Sequence, residues 1–187
     1  AQQSLEPRAA LAGLYVRSSN KSKAEYALHQ AVVDFPDNEN AAAMLKEFYG
    51  RTGQIDRAES VFADLNSKYP KSFGIKITYA EILADKKDYS KATTIADELT
   101  KTNGDDPQVQ VLNGLLLLTK GNVDKAFDLL QQATKSTPNN IQTQLLLARV
   151  AAAKGDKAVE ESSFRAVAKL SPANLAADDG LAAIASG

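Results

Sequence analysis

The chain has 187 residues, a formal net charge of −1 at pH 7 and a pI near 5.9, and its basic and acidic residues are interleaved. This balance argues against nucleic acid and anionic membranes as partners, and the absence of cysteine excludes disulfides, thiolate nucleophiles and thiolate zinc sites. The N-terminus lacks the features of a signal peptide, and the longest apolar run, residues 115–118, is far shorter than the ~20 residues that span a bilayer. We therefore expect a soluble chain without direct membrane insertion.

Three sets of residues recur with a period of 34 residues. The proline register holds Pro36, Pro70, Pro138 and Pro172, with Gly104 in the remaining place. The alanine register holds Ala24, Ala58, Ala92 and Ala126. The glycine register holds Gly53, Gly121 and Gly155, with Ser19 and Lys87 at the equivalent places. A period of this length is typical of stacked helical hairpins, none of which can bury its apolar face alone.

Alignment on these registers divides the chain into units without insertions. The units are 5–38, 39–72, 73–106, 107–140 and 141–174, followed by a partial terminal helix at 175–187. In each unit, apolar residues at spacings of three and four predict two amphipathic helices. The sequence therefore predicts an all-α superhelical solenoid of five helix-turn-helix repeats, folded as a single domain over 1–187.

Local signals predict where each helix begins and ends. Glycine reaches the left-handed conformation of a helix C-terminal cap without a Cβ clash, so the glycine register marks the end of each first helix. Proline disfavours helical geometry in the preceding residue, so the proline register closes each second helix. We expect the N-caps of the second helices at Ser22, Asp56, Ser90 and Asp124, with capping boxes to Glu25 and Glu59 in the first two.

The pattern of large, small and aromatic residues within a unit resembles the tetratricopeptide repeat (TPR). The second unit carries it as Leu45, Tyr49, Gly53, Ala58, Phe62 and Pro70, and the fourth as Gly114, Leu117, Gly121, Ala126, Leu130, Ala133 and Pro138. Three positions depart from it: Lys46 replaces a small residue, Asn113 a leucine and Glu160 an alanine. The last departure makes the second helix of the fifth unit the least secure element of the prediction.

The sequence offers little for catalysis or metal binding. The only histidine, His29, follows the apolar Leu28 on a second helix and is expected to point outward. Adjacent carboxylates do not face each other on a helix, no glycine-rich phosphate loop is present, and no acidic or histidine cluster has metal-ligand spacing. We predict a non-catalytic protein without a cofactor or metal.

The resemblance implies a partner-binding groove lined by the first helix of each unit. Carried onto this sequence, the groove residues are Arg17, Asn40, Glu47, Arg51, Ile77, Glu81, Asp85, Gln108, Val111, Leu115, Leu118, Gln142, Leu145 and Arg149, with Ala84 and Ala152 beside them. The first seven make a mostly charged part, whereas Val111, Leu115, Leu118 and Leu145 make an apolar part. Either these four contact a ligand, or neighbouring helices cover them. Family members that clamp a chaperone C-terminal carboxylate use Asn and Lys, and this chain has acids at the corresponding places.

We predict a scaffold or adaptor that holds a protein or peptide segment in this groove. The alternative is a structural spacer within a longer repeat array. The Ala-rich terminal helix resembles a cut end and predicts fraying or end-to-end self-association. The composition is similar to that of long bacterial repeat proteins of envelope and exopolysaccharide export, which favours a bacterial envelope or periplasmic location.

Overall fold

A computed structural model describes residues 4–186 of the chain; Ala1, Gln2, Gln3 and Gly187, which belong to the predicted 1–187 domain and terminal helix, lie outside it. The described residues form α-helices joined by short turns. In chain order these are α1 (Glu6–Arg17), α2 (Lys21–Asp34), α3 (Glu39–Thr52), α4 (Ile55–Lys68), α5 (Phe73–Asp85), α6 (Tyr89–Asn103), α7 (Pro107–Thr119), α8 (Val123–Ser136), α9 (Ile141–Lys154), α10 (Lys157–Leu170) and α11 (Leu175–Ser186).

Each predicted unit contains one pair of these helices, so the all-α helix-turn-helix prediction is confirmed. The second helix of the fifth unit, α10, forms over Lys157–Leu170 despite the departure at Glu160. Asp156 caps it by accepting the N–H of Val159 at 3.1 Å, and Ser163 and Val167 are buried. Glu160 is only partly buried, so its carboxylate does not have to replace a buried alanine.

All five positions of the glycine register have left-handed backbone conformation. Gly53, Gly121 and Gly155 have φ values of 69°, 74° and 80°. Ser19 and Lys87 adopt the same conformation, with φ values of 58° and 63°. Turn geometry is therefore kept even where the residue has a Cβ, at the cost of local strain.

The proline register sets a second recurring turn. The residue before each proline is the C-cap of its helix, with φ between −144° and −124° and ψ between 61° and 87°. Two residues after the register position, a polar residue caps the following helix: Asn38, Ser72, Asp106, Asn140 and Asn174. Each of these side chains accepts a backbone N–H at 2.8–3.4 Å. This fourth register of N-caps was not predicted.

The predicted N-caps of the second helices were wrong by two residues. The caps are Asn20, Asp88 and Asp156, which accept backbone N–H groups at 3.1–3.2 Å. Ser22, Asp56, Ser90 and Asp124 lie inside the first turn instead. There, Asp56 and Asp124 bind Lys86 and Lys154, 30 residues further along the chain in both cases.

The described residues fall into two compact units, one up to Ile95 and one from Ala96. In the first, α3 packs on α2, α4 and α5. Its core includes Ala24, Leu45, Tyr49, Ala58 and Phe62, all fully buried. A Cβ on Gly74 of α5 would lie 2.9 Å from the Glu39 Cα, so α5 lies close against the start of α3.

In the second unit, α7 packs on α8, α9 on α7, α8 and α10, and α11 on α10. Glycines allow two of these close approaches. A Cβ on Gly114 would lie 2.8 Å from the Leu130 Cγ, and one on Gly180 would overlap the Phe164 ring. The alanine register is completely buried in both units, as expected for small residues at helix crossings. The single-domain assignment of 1–187 stays a prediction.

Candidate functional site: the first-helix faces

The apolar residues of the predicted groove form a stripe along α7. Val111, Leu115 and Leu118 follow one another at spacings of four and three, and Gln108 precedes them by three, so all four share one helix face. Gln142, Leu145, Arg149 and Ala152 occupy the equivalent face of α9, which packs beside α7 within the second compact unit. We call these eight residues the α7/α9 stripe.

The leucines of the stripe are neither fully exposed nor fully covered. Val111, Leu115 and Leu118 are partly buried and pack against a core that includes Phe127 and Leu147. Leu145 is also partly buried, whereas Gln108, Gln142 and Arg149 are exposed. The sequence left two alternatives: a ligand contacts these side chains, or neighbouring helices cover them. Each alternative describes part of each side chain. Their outer atoms are accessible to a partner, and their inner atoms belong to the core.

The charged part of the predicted groove lies in the first compact unit. Asn40, Glu47 and Arg51 are exposed on α3, and Arg17 is exposed at the end of α1. Glu47 and Arg51 form an ion pair of 2.6 Å one helical turn apart. Exposed pairs of this kind contribute little to stability, so they are available to rearrange when a partner binds.

Lys46 joins α3 to α5 and neutralises two of the predicted groove acids. Its Nζ lies 3.0 Å from Glu81 Oε2 and 3.3 Å from Asp85 Oδ2. Burial opposes the charge of the ammonium, but the two carboxylates outweigh burial and raise the pKa of Lys46. The sequence marked Lys46 only as a departure from the repeat pattern. Because its partners lie 35 and more residues away, local spacing gave no sign of this contact.

Ile77 was wrongly predicted to line the groove. It is 2% exposed, and Ala84 on the same face of α5 is 5% exposed. The reason is that α5 is largely apolar and is buried around most of its circumference, with Ile75, Ile82 and Leu83 also inside the protein. On this face of α5, Glu81 remains partly accessible and Asp85 is exposed.

The described residues contain no group of three or more His, Asp or Glu side chains that could hold a metal ion. His29 is half-buried instead of fully outward-facing. Its burial, reinforced by Lys68 and opposed by Glu25, lowers the pKa of the imidazole.

Within residues 4–186, every helix is too short or too polar to cross a membrane.

Solved structures with the same fold include proteins described as TPR proteins. A thermophilic TPR protein of Thermus thermophilus is similar at 16% identity and a TM-score of 0.71, over 98% of this chain and 100% of that one. PilW, described as a widely conserved type IV pilus biogenesis factor, is similar at 18% identity and a TM-score of 0.67, over 100% of this chain and 92% of that one. YrrB, described as a TPR protein with an unusual peptide-binding site, is similar at 14% identity and a TM-score of 0.57, over 94% and 91%.

Sequence comparison agrees with the fold. A comparison with the sequences of curated proteins finds no match. Two sequence models of the tetratricopeptide repeat family, however, match residues 51–115 and 111–174, which together cover well over half of the chain. With the repeated helix pairs, the buried alanine register and the left-handed turns, these matches show that the chain belongs to the tetratricopeptide repeat family.

Proposed function

We propose that this chain is a non-catalytic scaffold that binds a protein or peptide segment through the α7/α9 stripe. The observation that carries the proposal is the partial exposure of Val111, Leu115, Leu118 and Leu145 along adjacent first helices. A bound segment would cover the outer atoms of these side chains, and burial of apolar area is the main source of affinity in such contacts.

The polar rim of the stripe supplies orientation. Arg149 is exposed on α9 one turn after Leu145, and Gln108 and Gln142 are exposed at the start of their helices. This arrangement favours a segment with apolar anchors and a neighbouring carboxylate, because a rim charge steers and orients more than it adds affinity. The structurally similar YrrB, a TPR protein with an unusual peptide-binding site, is consistent with such a ligand class.

The spacer function remains the second candidate, and it applies best to the first compact unit. There, the Lys46 contacts occupy Glu81 and Asp85, and Ile77 is buried. Self-association through the ends of the chain is a further proposal, supported by Leu14 and Leu175, which are 53% and 77% exposed. A bacterial envelope location also stays a proposal, with which the description of PilW is consistent.

A peptide library displayed on phage tests the binding proposal. We expect the purified chain to select peptides with two or more apolar anchors, and Arg149→Glu to weaken their binding. Arg165→Glu is the matched control, because Arg165 is equally an exposed arginine of the second compact unit but lies on α10, paired with Glu161. Circular dichroism verifies that both variants remain folded. Failure to select any peptide, or equal losses in both variants, would overturn the proposal.

A further inference from the structure

The chain contains two Asn–Gly pairs, and the structure places them in opposite environments. Asn103–Gly104 lies at the end of α6 and in the following turn, where both residues are exposed. Asn113–Gly114 lies inside α7, where Gly114 is buried against Leu130. Asn–Gly is the pair most prone to self-deamidation, because glycine puts no side chain in the way of its own backbone nitrogen.

We propose that Asn103–Gly104 is a site of spontaneous modification, whereas Asn113–Gly114 is protected. The backbone nitrogen of Gly104 attacks Cγ of Asn103, a C–N bond forms, and the side-chain nitrogen leaves as ammonia to give a cyclic succinimide. Water then opens the ring at either carbonyl, so the products are aspartate or isoaspartate. The net change consumes one water and releases one ammonia.

The repeat shows that the attacking nitrogen is not needed for folding. In the other four units the position of Gly104 is proline, which has no N–H, and the turn still forms. The bond that closes the turn comes from elsewhere: the N–H of Asp106 donates to the carbonyl oxygen of Asn103 at 3.0 Å, as in the equivalent turns. The Gly104 nitrogen is therefore free of a structural role at this position.

The repeat also shows that this turn tolerates a non-helical residue at the place of Asn103, and the attack requires such a geometry. In the four proline-containing turns the equivalent residue is a C-cap outside helical geometry, with ψ between 61° and 87°. Asn103 instead ends α6, and a terminal helical residue frays readily. The hydroxyl of Thr102 lies 2.7 Å from Asn103 Oδ1, where it can donate and polarise the amide for attack.

The internal pair, Asn113–Gly114, has neither a backbone nitrogen without a structural role nor an asparagine at a helix end. The N–H of Gly114 belongs to the interior of α7 and donates to the carbonyl four residues earlier. Asn113 Nδ2 donates to Thr100 Oγ1 at 2.8 Å, which fixes the side chain away from the backbone. The reaction at Asn113 must therefore await opening of the helix.

Modification at Asn103 would act on the turn between α6 and α7. A new carboxylate would stand at the C-terminus of α6, where the helix dipole disfavours negative charge, and next to Asp105 and Asp106. Isoaspartate would in addition lengthen the backbone before Asp106, which caps α7 by accepting the N–H of Gln108 at 2.8 Å. The expected consequence is a gradual, age-dependent weakening of this turn.

A single tryptic peptide, Thr102–Lys120, contains both pairs, so each molecule carries its own control. The folded chain is incubated at mildly alkaline pH, and fragment-ion masses of this peptide locate the conversion. We expect conversion at Asn103 at least about tenfold faster than at Asn113, since helix ends open more readily than helix interiors. In denaturant the two sites should react at similar rates. An isoaspartyl methyltransferase, used as a probe, should label the aged folded chain.

Variants separate this site from general ageing. Asn103→Gln and Gly104→Pro should each abolish the early conversion, and Gly104→Pro restores the residue of the other four turns. Asn113→Gln should leave the conversion unchanged. The proposal is overturned if Asn103 in the folded chain stays intact while the denatured chain reacts, or if both sites react equally fast in the folded chain.

Discussion

Lys87 provides the sharpest test of how the repeat fixes its turns. Its φ of 63° is left-handed, and glycine occupies the equivalent place in three of the other four units. An L-residue in this conformation costs roughly 1–2 kcal/mol, and glycine avoids that cost but loses about 0.5–1 kcal/mol through greater freedom in the unfolded chain. Lys87→Gly should therefore raise the free energy of unfolding of the first compact unit by about 0.5–1 kcal/mol.

The backbone contacts of the turn do not depend on the side chain. The N–H of Lys87 donates to the Ala84 carbonyl at 2.9 Å, and glycine keeps this bond. Lys120→Gly is the matched control, because Lys120 is also an exposed lysine at the end of a first helix but has a φ of −87°. There glycine relieves no strain and should destabilise by about 0.5–1 kcal/mol.

Urea unfolding of both variants measures these changes as midpoint shifts at constant slope. Opposite signs in the two variants are expected. A Lys87→Gly variant that is destabilised as much as Lys120→Gly would refute the reasoning. The left-handed conformation of Lys87 would then have no measurable free-energy cost in this turn.

Three further predictions concern the core and one titrating group. Ala58→Leu should lower the free energy of unfolding by about 1–3 kcal/mol, because Ala58 is completely buried at a helix crossing and has no room for a larger side chain; urea melts measure the loss. Gly180→Ala should loosen α11 specifically, since the new Cβ would overlap the Phe164 ring, and hydrogen exchange should then rise in Leu175–Ser186 while α9 is unchanged. The pKa of His29 is lowered below 6.5 by burial, so the unfolded chain binds the proton more tightly and stability should fall as pH drops below 6.5. His29→Gln should flatten that part of the pH profile, and an unchanged profile would contradict the assignment.

The elements that were predicted correctly are those whose causes are local. The prolines stop the second helices of the four units that contain them because of geometry within a dipeptide. The glycine register marks turns whose φ only a few residue types adopt readily. The N-caps of the second helices were misassigned because two candidate side chains, such as Asn20 and Ser22, stand close together. Capping strength does not separate them.

The parts of the candidate site that were missed depend on distant residues. Ile77 is buried because neighbouring helices cover most of α5, which is unusually apolar. The groove positions of the family pattern are the same in every first helix, so that pattern could not distinguish α5 from the others. Lys46 forms ion pairs with Glu81 and Asp85 of the next repeat, and these residues are too far along the chain for local sequence patterns to reveal the contact. The partial exposure of Leu115 likewise depends on how closely α8 and α9 approach α7, and it could only be measured on the folded chain.

The central claim is that the α7/α9 stripe is the binding surface. Hydrogen exchange of the chain with and without a library-selected peptide tests it most directly, because it needs no substitution in half-buried leucines. We predict slower exchange on peptide binding in α7 and α9, with little change in α4 and α10. Protection confined to second helices, or to the charged face of α3, would contradict the account.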